Sequence, residues 1–260
     1  MDIKLIVATH KKYWMPEDPM YLPIHVGAEG KTDENGNPLD LGYVKDNTGD
    51  NISSKNANYC ELTGLYWAWK NLNAEYIGLV HYRRHFSNGS LFGNKKSKVI
   101  TKAELEPLLK ECDVLLPTPR NYWIETNYSQ YAHAHHAIDL DETKRILQEK
   151  YPQYLKAWES SMSRTTGHRF NMFIMKKDKF DVYCAWLFDI LFELENRLDI
   201  STYNKNDSRV FGFVSERLLD VWIETNDIAY KNIPYVFMES QNWLVKGGNF
   251  IKRKFKGEKE

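Results

Sequence analysis

The spacing of apolar residues changes along this chain, and each change marks an element. Ile3 to Ala8 is a short β-like run and reads as a first strand. Between Asn58 and Leu72, the residues Leu62, Leu65, Tyr66 and Trp69 recur at helical spacing, which predicts an amphipathic helix. That helix leads directly into a second apolar run, Tyr76-Ile77-Gly78-Leu79-Val80. Thr101 with Glu104 three positions on is a capping-box pair, opening a helix that ends near Cys112; Asp113 to Pro117 is then a strand stopped by proline. Farther along, Phe170 to Met175 reads as a strand, and Phe180 to Leu198 and Ser208 to Thr225 as two apolar, mainly core helices. Strands alternating with helices predict an α/β fold around a largely parallel sheet.

Two stretches interrupt this order. Gly27 to Asn56 is long, rich in Gly, Asn and Asp, and lacks clear periodicity, which predicts a mobile or binding loop bordering the first strand's carboxyl end. The helical region from Asp141 to Trp158 could form a separate lobe. With no internal repeat and no linker that forces a cut, one domain over residues 1–260 is the expectation.

Composition narrows the function classes. At 260 residues, 42% hydrophobic and 14% aromatic, the chain can bury a sizeable core. Its 35 basic and 35 acidic residues cancel, so no overall positive field exists to hold a nucleic acid. The longest apolar stretches, such as Ala185 to Phe192, are broken by charge well short of the roughly 20 residues a membrane span needs. The N-terminus lacks a basic leader and a small-residue cleavage site, so a cytoplasmic location is expected. Cys60, Cys112 and Cys184 have no metal or disulfide spacing and read as free thiols.

Several strings carry candidate chemistry. His81-Tyr82-Arg83-Arg84-His85-Phe86 directly follows an apolar strand, where open α/β sheets form their ligand crevice, so this cationic cluster points at an anion such as phosphate. The same string can equally be a solvated turn whose arginines pair with carboxylates. A phosphatase reading of Arg84-His85 lacks the glycine that follows that pair in the phosphatase superfamily. In Gly167 to Met175, Asn171 sits among apolar neighbours and needs its amide satisfied by backbone or by a sugar hydroxyl. Glu216 lies in an apolar helix, where desolvation would raise its pKa toward that of a usable base; an ion-pair network with Arg209 or Arg217 is the alternative. His133, His135 and His136 invite a metal reading, and with it a metallohydrolase, but no carboxylate spacing accompanies them. Lys252 to Lys256 is a basic end that is solvated or leans on an anionic membrane.

Taken together, the strings Asn51 to Asn56, Tyr59 to Asn71, Gly78 to Phe86 and Arg209 to Leu218 resemble bacterial capsular and exopolysaccharide biosynthesis glycosyltransferases. That family has long been catalogued as a domain of unknown function, with members among or beside galactofuranose transferases. The resemblance implies a GT-A-like fold with a nucleotide-binding half over about 1–120, an acceptor-binding half over about 121–250, and a basic tail at 251–260. It implies a UDP-sugar donor held by Thr9, Lys11, Asn51 and Asn58. His81, Arg83 and Arg84 stand where many such enzymes carry an Asp-x-Asp metal motif. No aspartate is present there, so no cofactor is expected to be required, although a divalent cation such as manganese or magnesium stays open. His168 and Asn171 would face a glycan or lipid-linked oligosaccharide acceptor, with Glu216 as base and the membrane surface as a peripheral contact. A non-catalytic carbohydrate- or nucleotide-binding protein, using the many Trp and Tyr residues, is the alternative.

Overall fold

The computed structural model describes residues 1–239; the basic tail lies outside them. The chain opens with β1 (Ile3–Thr9), β2 (Tyr21–His25) and β3 (Val44–Lys45). Helices α1 (Asn56–Tyr59) and α2 (Leu62–Asn71) precede β4 (Tyr76–His81) and β5 (Arg84–Phe86). Next come α3 (Lys102–Glu111), β6 (Val114–Pro117) and β7 (Arg120–Asn121). Three helices follow, α4 (Asn127–Ala134), α5 (Ala137–Lys150) and α6 (Leu155–Ser163), and then β8 (Thr166–Gly167) and β9 (Phe173–Lys176). The long helices α7 (Lys177–Arg197) and α8 (Val210–Thr225) lead to β10 (Lys231–Ile233) and β11 (Tyr235–Phe237).

The main sheet runs β10-β6-β9-β4-β1-β2-β3, with β5 attached to β4 and β11 to β5. Along that path only β9 runs against its neighbours, so the sheet is mostly parallel and the carboxyl ends of β1, β2 and β4 share one edge. Strand β1 shows why both faces are covered: Ile6 and Ala8 enter one core, while Ile3, Leu5 and Val7 enter the other. The first core is roofed by α2, α7 and α8 and continues without a break into α4, α5 and α6 through Tyr131, Ile146 and Trp158. The region from Asp141 to Trp158 therefore shares the core of the sheet. Helix α3 roofs the second core through Leu105 and Leu109, and its capping box forms, with the Thr101 amide donating to Glu104 Oε2 at 2.8 Å. Gly78 is required in β4 because a Cβ there would lie 2.7 Å from the Phe173 carbonyl of β9.

Two expectations need correction, and a third is sharpened. The single helix predicted over Asn58 to Leu72 is broken at Cys60, whose φ of 53° interrupts it; the apolar spacing runs through the break and conceals it. The strand predicted from Phe170 begins only at Phe173, because Phe170 and Asn171 take φ values of 77° and 54° and form a turn. The Gly27 to Asn56 passage contains β3 and is pinned by buried Asp46, which accepts from the Gly27 amide at 2.8 Å and the Ala28 amide at 3.1 Å.

Candidate active site

Five segments meet at the carboxyl ends of β1 and β4. They are the turn after β1, the α1–α2 break, the β4–β5 turn, the turn before β9, and the start of α8. Burial, and then the charges of Arg83, Lys11 and Arg209, hold the His10 pKa below the ordinary histidine value. His81 feels Arg84, Glu216 and Arg209, and Glu61 feels Arg209 and Arg84. Cations and carboxylates far apart in sequence thus form one cluster.

The break at Cys60 places Glu61 in this cluster. Asn56 supports the break by donating its side-chain amide to the Cys60 carbonyl at 2.7 Å. Glu61 then points inward with its side chain only 11% exposed, and burial raises its carboxyl above the usual range. Its Oε1 accepts from Asn171 Nδ2 at 2.7 Å and lies 3.8 Å from His81 Nε2. Burial drives His81 down to about 3, so the imidazole is neutral at pH 7. Its Nε2 lies 2.7 Å from the Phe170 carbonyl, which can only accept, so Nε2 carries the proton.

The cations are held differently. Arg84 stacks over the Phe170 ring at 4.0 Å and near the Phe237 ring at 5.4 Å, and its buried Nε has no hydrogen-bond partner among the described residues. Arg83 donates from Nε to the Tyr82 hydroxyl at 2.6 Å and stands 3.5 Å from Glu239. Arg209 donates to Cys60 Sγ at 3.1 Å and lies over Phe213 at 5.1 Å. Lys11 Nζ sits 5.4 Å from the Tyr82 ring centre. The strained backbone before β9 serves this arrangement directly: Phe170 supplies both the carbonyl for His81 and the ring under Arg84.

Glu216, one helical turn beyond Gly212, keeps its side chain 22% exposed, with Arg217 Nη1 3.5 Å from its Oε2. It remains open to a ligand, whereas Glu61 is the carboxyl that is desolvated. The cluster can therefore hold a multiply charged anion against Arg83, Arg84 and Arg209 with two carboxyl groups nearby.

A family model described as a domain of unknown function, DUF4422, matches residues 4–245. The chain belongs to the DUF4422 family. This DUF4422 chain is also similar to a solved structure described as the WbbM bifunctional glycosyltransferase in its apo form. The two are 29% identical with a TM-score of 0.84, over 92% of this chain and 46% of that one. The chain thus spans about half the length of the protein it matches and shares the fold of that part. No curated protein matches it.

The remaining residues singled out in this DUF4422 sequence have other surroundings. Thr9 is buried, and its hydroxyl donates to the Lys11 carbonyl at 2.7 Å, shaping the turn that presents His10 and Lys11. Asn51 accepts from the Ser53 amide at 3.1 Å, and Asn58 donates to the Ser208 carbonyl at 2.7 Å, tying α1 to the approach to α8. Asn171, expected on the acceptor side, is buried: it donates to Glu61 and to the Gly212 carbonyl at 3.1 Å, and its Oδ1 accepts from Ser215 at 2.8 Å. Its amide thus links Glu61 to the start of α8. His168 is buried behind α8 between Asp220 at 2.5 Å and Asn232 at 2.8 Å, away from the cluster's polar contacts. His133 meets Glu125 at 2.6 Å while His135 and His136 meet Asp207, and no group of three metal-ligating side chains forms among the described residues.

Glu61 is the site residue that sequence reasoning missed. It lay in the Tyr59 to Asn71 string, but as one polar residue on a helix with clear apolar spacing it gave no separate signal.

Proposed function

We propose that this chain is a glycosyltransferase that moves a hexose, such as galactofuranose, from a UDP-sugar to a growing capsular, exopolysaccharide or O-antigen glycan. The observation that carries the reading is the placement of Arg84, ion-bearing yet stacked on aromatic rings with an unpartnered Nε, at the carboxyl end of β4 beside Arg83, Arg209, Glu61 and Glu216. Similarity to part of a bifunctional glycosyltransferase supports the transfer chemistry.

In this mechanism the diphosphate lies against Arg83 and Arg84, whose fixed charge and planar donor forks suit phosphate oxygens. The acceptor hydroxyl gives its proton to Glu216 as its oxygen bonds to the anomeric carbon. The bond from that carbon to the β-phosphate oxygen breaks, and UDP leaves with the electron pair, its added charge met by the arginines. Such a transfer inverts the anomeric centre. Neutral His81 and the Asn171-bound Glu61 hold the wall of the site. Arginine supplies the charge that a divalent cation supplies in enzymes with an Asp-x-Asp motif, so turnover is expected to persist in EDTA. The acceptor is a glycan or lipid-linked oligosaccharide, and the basic tail adds a peripheral contact with the inner face of the membrane. No helix of the described residues is long and apolar enough to cross a membrane.

The test is mass spectrometry of the protein with UDP-sugars and a synthetic glycan acceptor, with and without EDTA. Release of UDP with an acceptor one hexose heavier, in both conditions, is expected. Binding without turnover would make the chain a sugar- or nucleotide-binding module, and activity lost in EDTA and restored by manganese or magnesium would overturn the arginine role.

A further inference from the structure

Most large apolar side chains of the described residues are covered, but two adjacent pairs are not. Leu91 and Phe92 are 87% and 86% exposed, and Trp123 and Ile124 are 81% and 69% exposed. Single exposed apolar residues are common on soluble surfaces, whereas neighbouring large ones in ordered segments call for a partner.

The Leu91–Phe92 segment is a built projection. Its neck is closed by a bridge between Ser87 and Val99, with the Asn88 amide donating to the Lys98 carbonyl at 2.9 Å. Inside it, Ser90 Oγ donates to the Phe92 carbonyl at 3.0 Å, Lys98 Nζ donates to the Leu91 carbonyl at 3.2 Å, and Asn94 caps the amides of Lys96 and Ser97. Gly93 turns the chain at φ 92°, where a Cβ would lie 2.5 Å from Ser97 Oγ. The loop's polar groups are thus largely satisfied internally, and what it presents to solvent is a leucine and a phenylalanine.

Charge names the partner. From Tyr76 to Ala103 the sequence has no Asp or Glu, and Lys95, Lys96 and Lys98 follow the apolar tip, while at the neck Asn88 meets Glu104 and Lys102 pairs with Glu106. An apolar tip followed by three lysines matches an anionic lipid surface, where the apolar side chains enter the acyl boundary and the ammonium groups stay at the headgroups. A protein groove of opposite charge is the competing occupant, but nothing in the loop provides the directional polar contacts such an interface adds at its rim. The position suits a surface that carries substrate. The loop leaves β5, the strand that opens with Arg84, at Ser87, and Lys95 Nζ donates to the Glu239 carbonyl at 2.8 Å just beyond β11. Tyr235 of β11 in turn lies within electrostatic reach of Arg120 and Tyr122, which lead to Trp123.

We propose that the Leu91–Phe92 loop is a membrane-docking element that inserts into an anionic bilayer and sets the mouth of the Arg84 cluster against it. The loop's lipid contact does not depend on the transfer reaction.

The experiment uses the full chain and co-sedimentation with vesicles of equimolar phosphatidylglycerol and phosphatidylcholine, against vesicles of phosphatidylcholine alone. Wild type is expected to favour the anionic vesicles. Leu91→Ser with Phe92→Ser is expected to weaken that binding by about tenfold or more, the scale set by withdrawing two large apolar side chains from the acyl boundary. Lys96→Glu should weaken it several-fold and only at low salt. Because both apolar side chains are exposed, the double variant should melt with wild type and match its rate on a soluble acceptor. Equal vesicle binding by wild type and the double variant overturns the proposal. So does a concentration-dependent dimer that the double variant abolishes, which would assign the tip to a second copy of the chain. A protein that sediments as expected but transfers no sugar would sink the transferase reading and leave the docking loop standing.

Discussion

Two groups of charge contact the same helix, α8, a buried one behind it and a partly exposed one in front, and they are built on opposite plans. Behind the helix, Asp220 is shared by the His168 ring at 2.5 Å, the His168 amide at 3.0 Å and Arg169 at 3.6 Å. Arg169 also donates to the His168 carbonyl at 2.6 Å and to the Glu216 carbonyl at 3.2 Å. At the front, Arg84 and Arg209 rest on aromatic rings and a thiol, and no carboxylate of the described residues lies within ion-pair distance of either. Buried charge costs several kcal/mol unless it is paired. The rear group pairs its charge with Asp220 and is structural, although Arg169 Nε and Nη2 have no hydrogen-bond partner among the described residues; Arg84 and Arg209 in front have no paired carboxylate among them and leave cation capacity for an incoming anion.

Breaking the rear pairing gives the largest effect. Asp220→Ala strands Arg169 and His168 and should cost about 3–5 kcal/mol of stability, a drop on the order of 10 °C in melting temperature for a chain of this size. Calorimetry reads it, and below the transition the variant should bind UDP as wild type does. A variant that keeps its stability but loses UDP would show that the rear group belongs to the ligand site.

Front substitutions should do the reverse. Glu216→Gln is expected to leave the fold and UDP affinity intact and to lower the transfer rate roughly 100-fold, as loss of a general base does; near-normal turnover removes Glu216 from the chemistry. Arg84→Lys keeps the charge but not the fork and should weaken UDP binding or turnover by about 1.5 kcal/mol, with Tm almost unchanged. Titration of the folded variant with UDP separates this from a packing defect.

The smallest effect is in the pH profile of stability. Because burial raises the Glu61 carboxyl, the folded protein keeps that proton to higher pH than the unfolded chain. Stability is therefore lost as pH rises from the ordinary carboxylate value through the raised one. Glu61→Gln can still accept from Asn171, so it should flatten this limb and slightly raise the melting temperature at pH 7. An unchanged slope would mean that Glu61 titrates as an exposed carboxylate does.

The sequence reveals what is local and hides what is made by distant contacts. Strands β1, β4 and β6, helix α3 with its Thr101–Glu104 cap, and the long helices α7 and α8 follow from runs, spacing and caps. Strand β2 escapes because Pro23 lies at its centre and lowers its β signal. The cationic string at His81 to Arg84 and the carboxylate Glu216 stand out because charge interrupts apolar patterns. Glu61 does not, since its placement depends on a left-handed Cys60 that no glycine announces. Asn58, Asn171 and His168 look like ligand contacts locally, but their partners Ser208, Glu61 and Asp220 lie far away in sequence. Only the folded chain shows that their polar groups are already engaged.

A crystal soaked with UDP in EDTA tests the division between front and rear most directly. The diphosphate should lie against Arg83 and Arg84, with uridine at the turn after β1 and Glu216 open on the acceptor side. UDP bound away from the β4–β5 turn, or bound only when manganese or magnesium is added, would contradict the assignment of Arg84 as the cation that receives the leaving group.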